Sequence, residues 1–209
     1  LNTNAFVVKN GVNFELFSQK ATAYPLKEYQ DKYDKIIGYI GSVDHRLDYD
    51  LLEACAKNHP NLAFVFVGRI NNQEGETRLK KHKNVFLLGP QSPSELHNFM
   101  QAFDLGLIPF LKNDLTAGIY PLKINEYLAA GKPVISTEFG DLDDFRDIAI
   151  IAKNPSEFVA AISAELEADS TEKQDHRIQI ASQNSWAARA ERFGNIINTL
   201  LQEQPKTVK

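Results

Sequence analysis

Short apolar runs rich in β-branched residues alternate with segments of helical period along most of this chain. Runs at Ile36–Ile40, Ala63–Val67, Val85–Leu88, Leu105–Ile108, Val134–Ser136 and Ala149–Ile151 read as strands. Stretches near Asp48–Lys57, Thr77–Lys81, Pro93–Ala102, Pro121–Ala129 and Pro155–Leu166 read as helices between them. That alternation predicts an α/β architecture, a Rossmann-like parallel sheet with helices on both faces. Helix boundaries carry matching chemistry. Ser92, Pro93 and Glu95 offer a cap, a first-position proline and a capping-box carboxylate, and Gly131 followed by Pro133 closes the helix that Pro121 opens.

The ends follow a different pattern. Residues 1–20 hold one apolar run, Ala5–Val8, and a turn signal, Asn10–Gly11–Val12–Asn13, with no partner strand, so they read as a strand left from a preceding domain. Residues 21–34 read as a Tyr-rich linker, residues 35–168 as the main domain and residues 169–204 as a helical segment. Its helix is expected from His176 to Gln202, packed either on its own domain or on another, and residues 205–209 are expected to be a disordered tail.

Composition narrows the functional classes. At 209 residues, 43% apolar and 24% charged, the chain suits one main soluble domain. A net charge of −4 argues against a nucleic-acid-binding face, and the basic cluster Lys80–Lys81–His82–Lys83 reads as a solvated helix end. The single cysteine, Cys55, excludes an internal disulfide and falls on an apolar helix position. No apolar stretch reaches the roughly 18 residues of a membrane span and no signal-peptide pattern is present. A cytoplasmic protein with at most peripheral membrane contact is expected.

In a doubly wound sheet, ligands bind beyond the carboxyl ends of the strands. After the first strand come Gly41 and Ser42, a glycine for close backbone approach and a hydroxyl for a phosphate oxygen, or simply a turn; Arg46 nearby is a counter-charge to phosphate or a surface arginine. Arg69 after the second strand and Gly89 after the third are secondary candidates for diphosphate and nucleobase. The most informative segment runs from Asn113 to Ile135. There a polar loop containing Thr116 and Gly118 leads into a helix at Pro121 whose free N–H groups suit a diphosphate. Lys123 sits in the first turn, where a cation costs the helix up to roughly 1 kcal/mol, an expense that makes sense beside a bound anion. Glu126 lies on the same face, able to accept from two vicinal ribose hydroxyls or to form a plain i,i+3 ion pair with Lys123.

Pro121–Leu122–Lys123 followed by Glu126–Tyr127–Leu128–Ala129–Ala130–Gly131–Lys132–Pro133–Val134 resembles the donor-site motif of GT-B glycosyltransferases of the group-1, GT4-like class. Ile37–Gly41, Asn84–Gly89, Lys9–Asn13 and Ser185–Trp186 with Arg189 are similar to other landmarks of that family, so the resemblance covers nearly the whole chain. It implies the donor-binding C-terminal half of a GT-B fold that holds a nucleotide-diphosphate sugar as substrate. Glu126 then binds the ribose, Lys123 and the loop from Thr116 to Pro121 face diphosphate and sugar, and Gly41–Ser42 approaches the phosphates.

Two features depart from the family's pattern. Gly118 stands where the first glutamate of the E-x7-E motif is usual, and the usual Arg and Lys after the first strand fall on Ser42 and Leu47. Lys123, with Arg46 or Arg69, is left to stabilise the leaving diphosphate, without a metal or other cofactor. A glycan or lipid-linked acceptor would be held by an N-terminal domain outside this chain. A sugar-nucleotide epimerase and a non-catalytic binding module are the competing readings, whereas a nicotinamide dehydrogenase lacks its glycine fingerprint.

Overall fold

Residues 5–203 are described by a computed structural model of the chain, so the expectation for residues 205–209 lies outside them. Six strands, β1 (Lys35–Ile40), β2 (Leu62–Val67), β3 (Val85–Leu87), β4 (Leu105–Ile108), β5 (Val134–Thr137) and β6 (Ile150–Ala152), form one sheet in the order β3-β2-β1-β4-β5-β6. Every pairing is parallel. β2 and β4 are buried along their whole length, which is why these strands read as continuous apolar runs with no alternation.

The helices are α1 (Phe14–Phe17), α2 (Lys27–Gln30), α3 (Tyr49–Asn58), α4 (Gln73–Leu79), α5 (Leu96–Ala102), α6 (Asp114–Ala117), α7 (Leu122–Ala129), α8 (Pro155–Ala168), α9 (Thr171–Gln183) and α10 (Trp186–Glu203). Cys55 is buried on α3.

Tertiary contacts moved several boundaries from their expected places. α4 begins at Gln73, capped by Asn72, and not at Thr77; Gly75 hides its helical signal because the Tyr49 ring packs where a side chain would stand. Before α5, Pro93–Glu95 is a 3-10 turn, and Ser92 makes no cap. Its hydroxyl bonds Ser94, while Glu95 holds Asn98, whose carbonyl takes the N–H groups of Thr22 and Ala23. The helix expected from His176 to Gln202 is two helices. They break at Asn184–Ser185, where Val12 forms a parallel bridge to Ser185, and the first of them begins earlier than expected, at Thr171, capped by Ser170. Ala5–Val8 forms no strand, and Asp143–Phe145 is a 3-10 turn.

α7 is anchored deep in the sheet. Its Tyr127 ring lies flat against Gly106 of β4, where any Cβ would come within 2.6 Å of ring carbons, and its hydroxyl meets the Ile40 N–H of β1 at 2.9 Å. Burial pushes the Tyr127 phenol well above its usual pKa range, so it remains neutral and bonds as a hydroxyl. At the other end of α7 the chain closes in a Schellman turn: Gly131, at φ +74°, donates to Leu128 O at 2.9 Å and Lys132 to Tyr127 O at 2.9 Å. The Lys132 side chain stays on that far side, donating to Gln101 O at 2.9 Å. One end of α7 therefore serves packing, and the other faces the carboxyl rim.

Candidate functional site

The strand order reverses between β1 and β4, and there the two strands part. Their ladder holds the pairs Ile37 with Leu105 and Gly38 with Gly106, although the strands run on to Ile40 and Ile108. The Ile40 N–H beyond the last pair is the one that Tyr127 takes. At this opening lies a crevice of about 210 Å³, lined by Tyr39, Ile40 and Gly41 from the end of β1, by Ile108 and Phe110 from the end of β4, and by Ile119–Lys123 with Glu126. A switch point at the carboxyl ends of the strands is where sheets of this type take ligands. A larger hollow, about 520 Å³, runs between Phe6 and α10, away from the strand ends.

Of the residues expected at a donor site, Gly41, Arg46, Pro121, Lys123 and Glu126 line the crevice together. Lys123 Nζ donates to Glu126 Oε2 at 2.8 Å, so the i,i+3 ion pair does form, with side chains 32% and 14% exposed. Pro121 caps α7 from outside and is not its first helical residue. The amides of the first turn are also fewer than expected. Leu122 N–H turns back to Tyr120 O at 2.9 Å and Ile124 N–H to Pro121 O at 3.0 Å, leaving the Lys123 amide without a backbone acceptor among the described residues.

Arg46 is not a free counter-charge. Its guanidinium grips Asp44 through Nε to Oδ1 at 2.9 Å and Nη2 to Oδ2 at 2.7 Å, and stands over the Phe110 ring at 5.5 Å. Burial alone would raise the Asp44 pKa, but the side-chain and backbone bonds from Arg46 outweigh it and the net shift is downward. The carboxylate therefore keeps its charge to lower pH than a free aspartate does. Each cation at the crevice is thus matched by its own carboxylate, and an incoming phosphate has to share Lys123 with Glu126 and Arg46 with Asp44.

Four expected residues stand off this crevice. Ser42 follows Gly41 but offers its carbonyl to Tyr39 Oη at 3.1 Å. Arg69 is exposed past β2. Gly89, at φ +69°, lies past β3, its carbonyl taken by Gly68 N–H at 2.9 Å. Thr116 is fully buried: its hydroxyl donates to Leu111 O, and it closes a capping box with Asn113 at the start of α6. Its role in these contacts is to shape the loop. Thr116→Val should cost about 1–2 kcal/mol of stability by urea unfolding; an unchanged midpoint would remove this role.

Tyr39, Phe110 and Tyr120 are the aromatic walls of the crevice; sequence reasoning passed over the first two and included Tyr120 only within the loop from Thr116 to Pro121. Their signal was positional: Tyr39 and Phe110 flank the ends of the two strands at the reversal, and Tyr120 directly precedes the motif proline.

The family described as "Glycosyl transferases group 1" matches residues 34–168. The chain is 30% identical over 187 residues to TuaH of Bacillus subtilis (strain 168), a protein named for a proposed role as a teichuronic acid biosynthesis glycosyltransferase, covering 86% of this chain and 47% of that protein. Among solved structures, Anabaena Alr3699/HepE in complex with UDP and glucose superposes with a TM-score of 0.70 at 17% identity, over 92% of this chain and 56% of that one. The E. coli trehalose-6-phosphate structure bound with UDP-2-fluoro glucose gives 0.67 at 17% identity, over 89% and 50%. These structural likenesses show a shared GT-B fold, and the chain spans about half the length of the proteins it matches.

Proposed function

The chain belongs to the group 1 glycosyltransferases, and on that premise we propose that it is the donor-binding part of a transferase that takes a nucleotide-diphosphate sugar. The observation that carries the proposal is the placement of Lys123 and Glu126 side by side in the crevice at the β1/β4 reversal. Glu126 Oε1 and Oε2 accept from the two ribose hydroxyls, Oε2 exchanging its bond to Lys123 for one of them. Lys123 Nζ then turns to the diphosphate, joined by its own amide; the Gly41 N–H is held by Val67 O at 2.9 Å, so Gly41 contributes close backbone approach and no donor. The base extends along the rim toward Gly89. As the bond from the sugar to the diphosphate breaks, its electrons pass to a diphosphate oxygen, and Lys123 stabilises that charge without a metal.

The acceptor, a glycan or lipid-linked glycan, is proposed to lie in the half of the fold that this chain does not span. α10 suits contact with such a half, since Trp186, Phe193, Ile197 and Leu201 on it are exposed. Among the described residues no helix is long and apolar enough to cross a membrane.

Product analysis tests the proposal. The full-length protein, given UDP-, GDP- and dTDP-sugars with and without a glycan acceptor, should release nucleoside diphosphate only when acceptor is present. Interconversion of the sugar nucleotide without acceptor would make it an epimerase, and consumption of none of the panel would make it a binding module. A specific observation keeps the last reading in view: a side chain at Gly118 would meet nothing within 4 Å, so steric exclusion does not account for the missing first glutamate.

A further inference from the structure

Tyr120, on the wall of the crevice, is the end of a one-way chain of hydrogen bonds that begins at a buried arginine. Arg189 is 9% exposed, and among the described residues it has no carboxylate partner and its Nε has no partner at all. A buried guanidinium without a counter-ion is costly to keep, so what it does there needs an explanation. Its Nη2 donates to Asn184 Oδ1 at 2.7 Å, Asn184 Nδ2 donates to Asn125 Oδ1 at 3.0 Å, and Asn125 Nδ2 donates to Tyr120 Oη at 3.1 Å.

The direction of every bond follows from the first. Arginine has donors only, so Asn184 must turn its carbonyl toward it and its amino group toward Asn125. Asn125, itself fully buried, must then do the same toward Tyr120. The phenol oxygen of Tyr120 is thereby made an acceptor on its inner side, and its proton is left to donate elsewhere. No acceptor for that proton stands among the described residues. The ring is meanwhile fixed against Phe145 at 5.8 Å, with Lys9 Nζ 5.6 Å from its centroid and Lys9 tied to Asp144 at 2.8 Å. Donors polarised in series strengthen one another, so the last O–H is a better donor than an isolated phenol.

We propose that Tyr120 donates a hydrogen bond to an oxygen of the bound nucleotide sugar, and that Arg189, Asn184 and Asn125 are positioning residues that fix its hydroxyl in that polarity. The inference rests on the crevice being the donor site. The motif resemblance turns the loop that contains Tyr120 toward diphosphate and sugar but gives its hydroxyl no contact, and Arg189 is there only a landmark of the closing helix.

Titrating UDP and UDP-glucose into the protein and three of its variants tests this, with Glu126→Ala as the control for the site itself. Tyr120→Phe should bind UDP-glucose about three- to tenfold more weakly. Asn184→Asp should show the same loss, because a carboxylate still accepts from Arg189 but cannot donate to Asn125, which then turns and takes the Tyr120 proton. Its unfolding midpoint should match or exceed that of the parent, which a merely structural role would not produce, and Tyr120→Phe combined with Asn184→Asp should lose nothing further. Loss with both ligands places the contact on the diphosphate, and loss with UDP-glucose alone places it on the sugar. If Glu126→Ala weakens binding while Tyr120→Phe does not, the proposal falls and the donor site stands. If Tyr120→Phe weakens binding and Asn184→Asp does not, the relay falls. If none of the variants changes affinity, the donor site and the proposal fall together.

Discussion

Glu126→Ala should lower the affinity for UDP about 10- to 100-fold, since a hydrogen bond to a charged group contributes about 1.5–3 kcal/mol and the carboxylate is placed to accept two. Lys123→Ala should lose at least as much. It removes the ammonium nearest the proposed diphosphate and also leaves Glu126, 2.8 Å away in the parent, as an unmatched negative charge beside the phosphates. The two residues act as one unit, so the double variant should lose less than the two single losses combined. Calorimetric titration reads all three. Unchanged affinity in both single variants would mean that the pair is an ordinary surface ion pair and that nucleotide binds elsewhere.

The largest effect on stability is expected at Tyr127, where one side chain joins α7, β1 and β4. Tyr127→Ala removes a fully buried ring and should cost about 3–5 kcal/mol for the cavity alone, a large share of the 5–15 kcal/mol that holds a typical domain together. The Ile40 N–H loses its acceptor as well. Tyr127→Phe isolates that second contribution: the ring remains against Gly106 and only the hydroxyl goes, so about 1–3 kcal/mol should be lost. Urea unfolding of the two variants separates the terms. If Tyr127→Phe were as stable as the parent, water would have to satisfy Ile40 where the strands part, and the hydroxyl would not be what closes the gap beneath the crevice.

Why the sheet was legible and some of its surroundings were not follows from range. The strands declare themselves because both faces of β1, β2 and β4 are covered, leaving unbroken apolar runs such as Leu62–Val67. Lys123 and Glu126 were legible because they lie one turn apart on one helix, and the topology alone sends that helix start to the rim. Contacts between distant residues left no such trace. Gly75 reads as a helix breaker until the Tyr49 ring is seen against it, and Ser92 reads as a cap until Asn98 is seen holding the chain at Thr22 and Ala23. The relay from Arg189 to Tyr120 depends on a bond between residues 59 positions apart, Asn184 and Asn125, and no spacing rule reports it. Thr116 is the opposite case. Asn113 and Thr116 stand at capping-box spacing, a local signal for a buried structural hydroxyl.

Hydrogen–deuterium exchange of the protein with and without saturating UDP addresses the site assignment most directly, because it reports where the nucleotide sits without altering a residue. Protection is expected in the peptides spanning residues 38–46 and 118–127, the two sides of the opening between β1 and β4, with little change across α9 and α10. Protection confined to the hollow between Phe6 and α10, or to the far ends of the strands, would contradict a donor site at the start of α7.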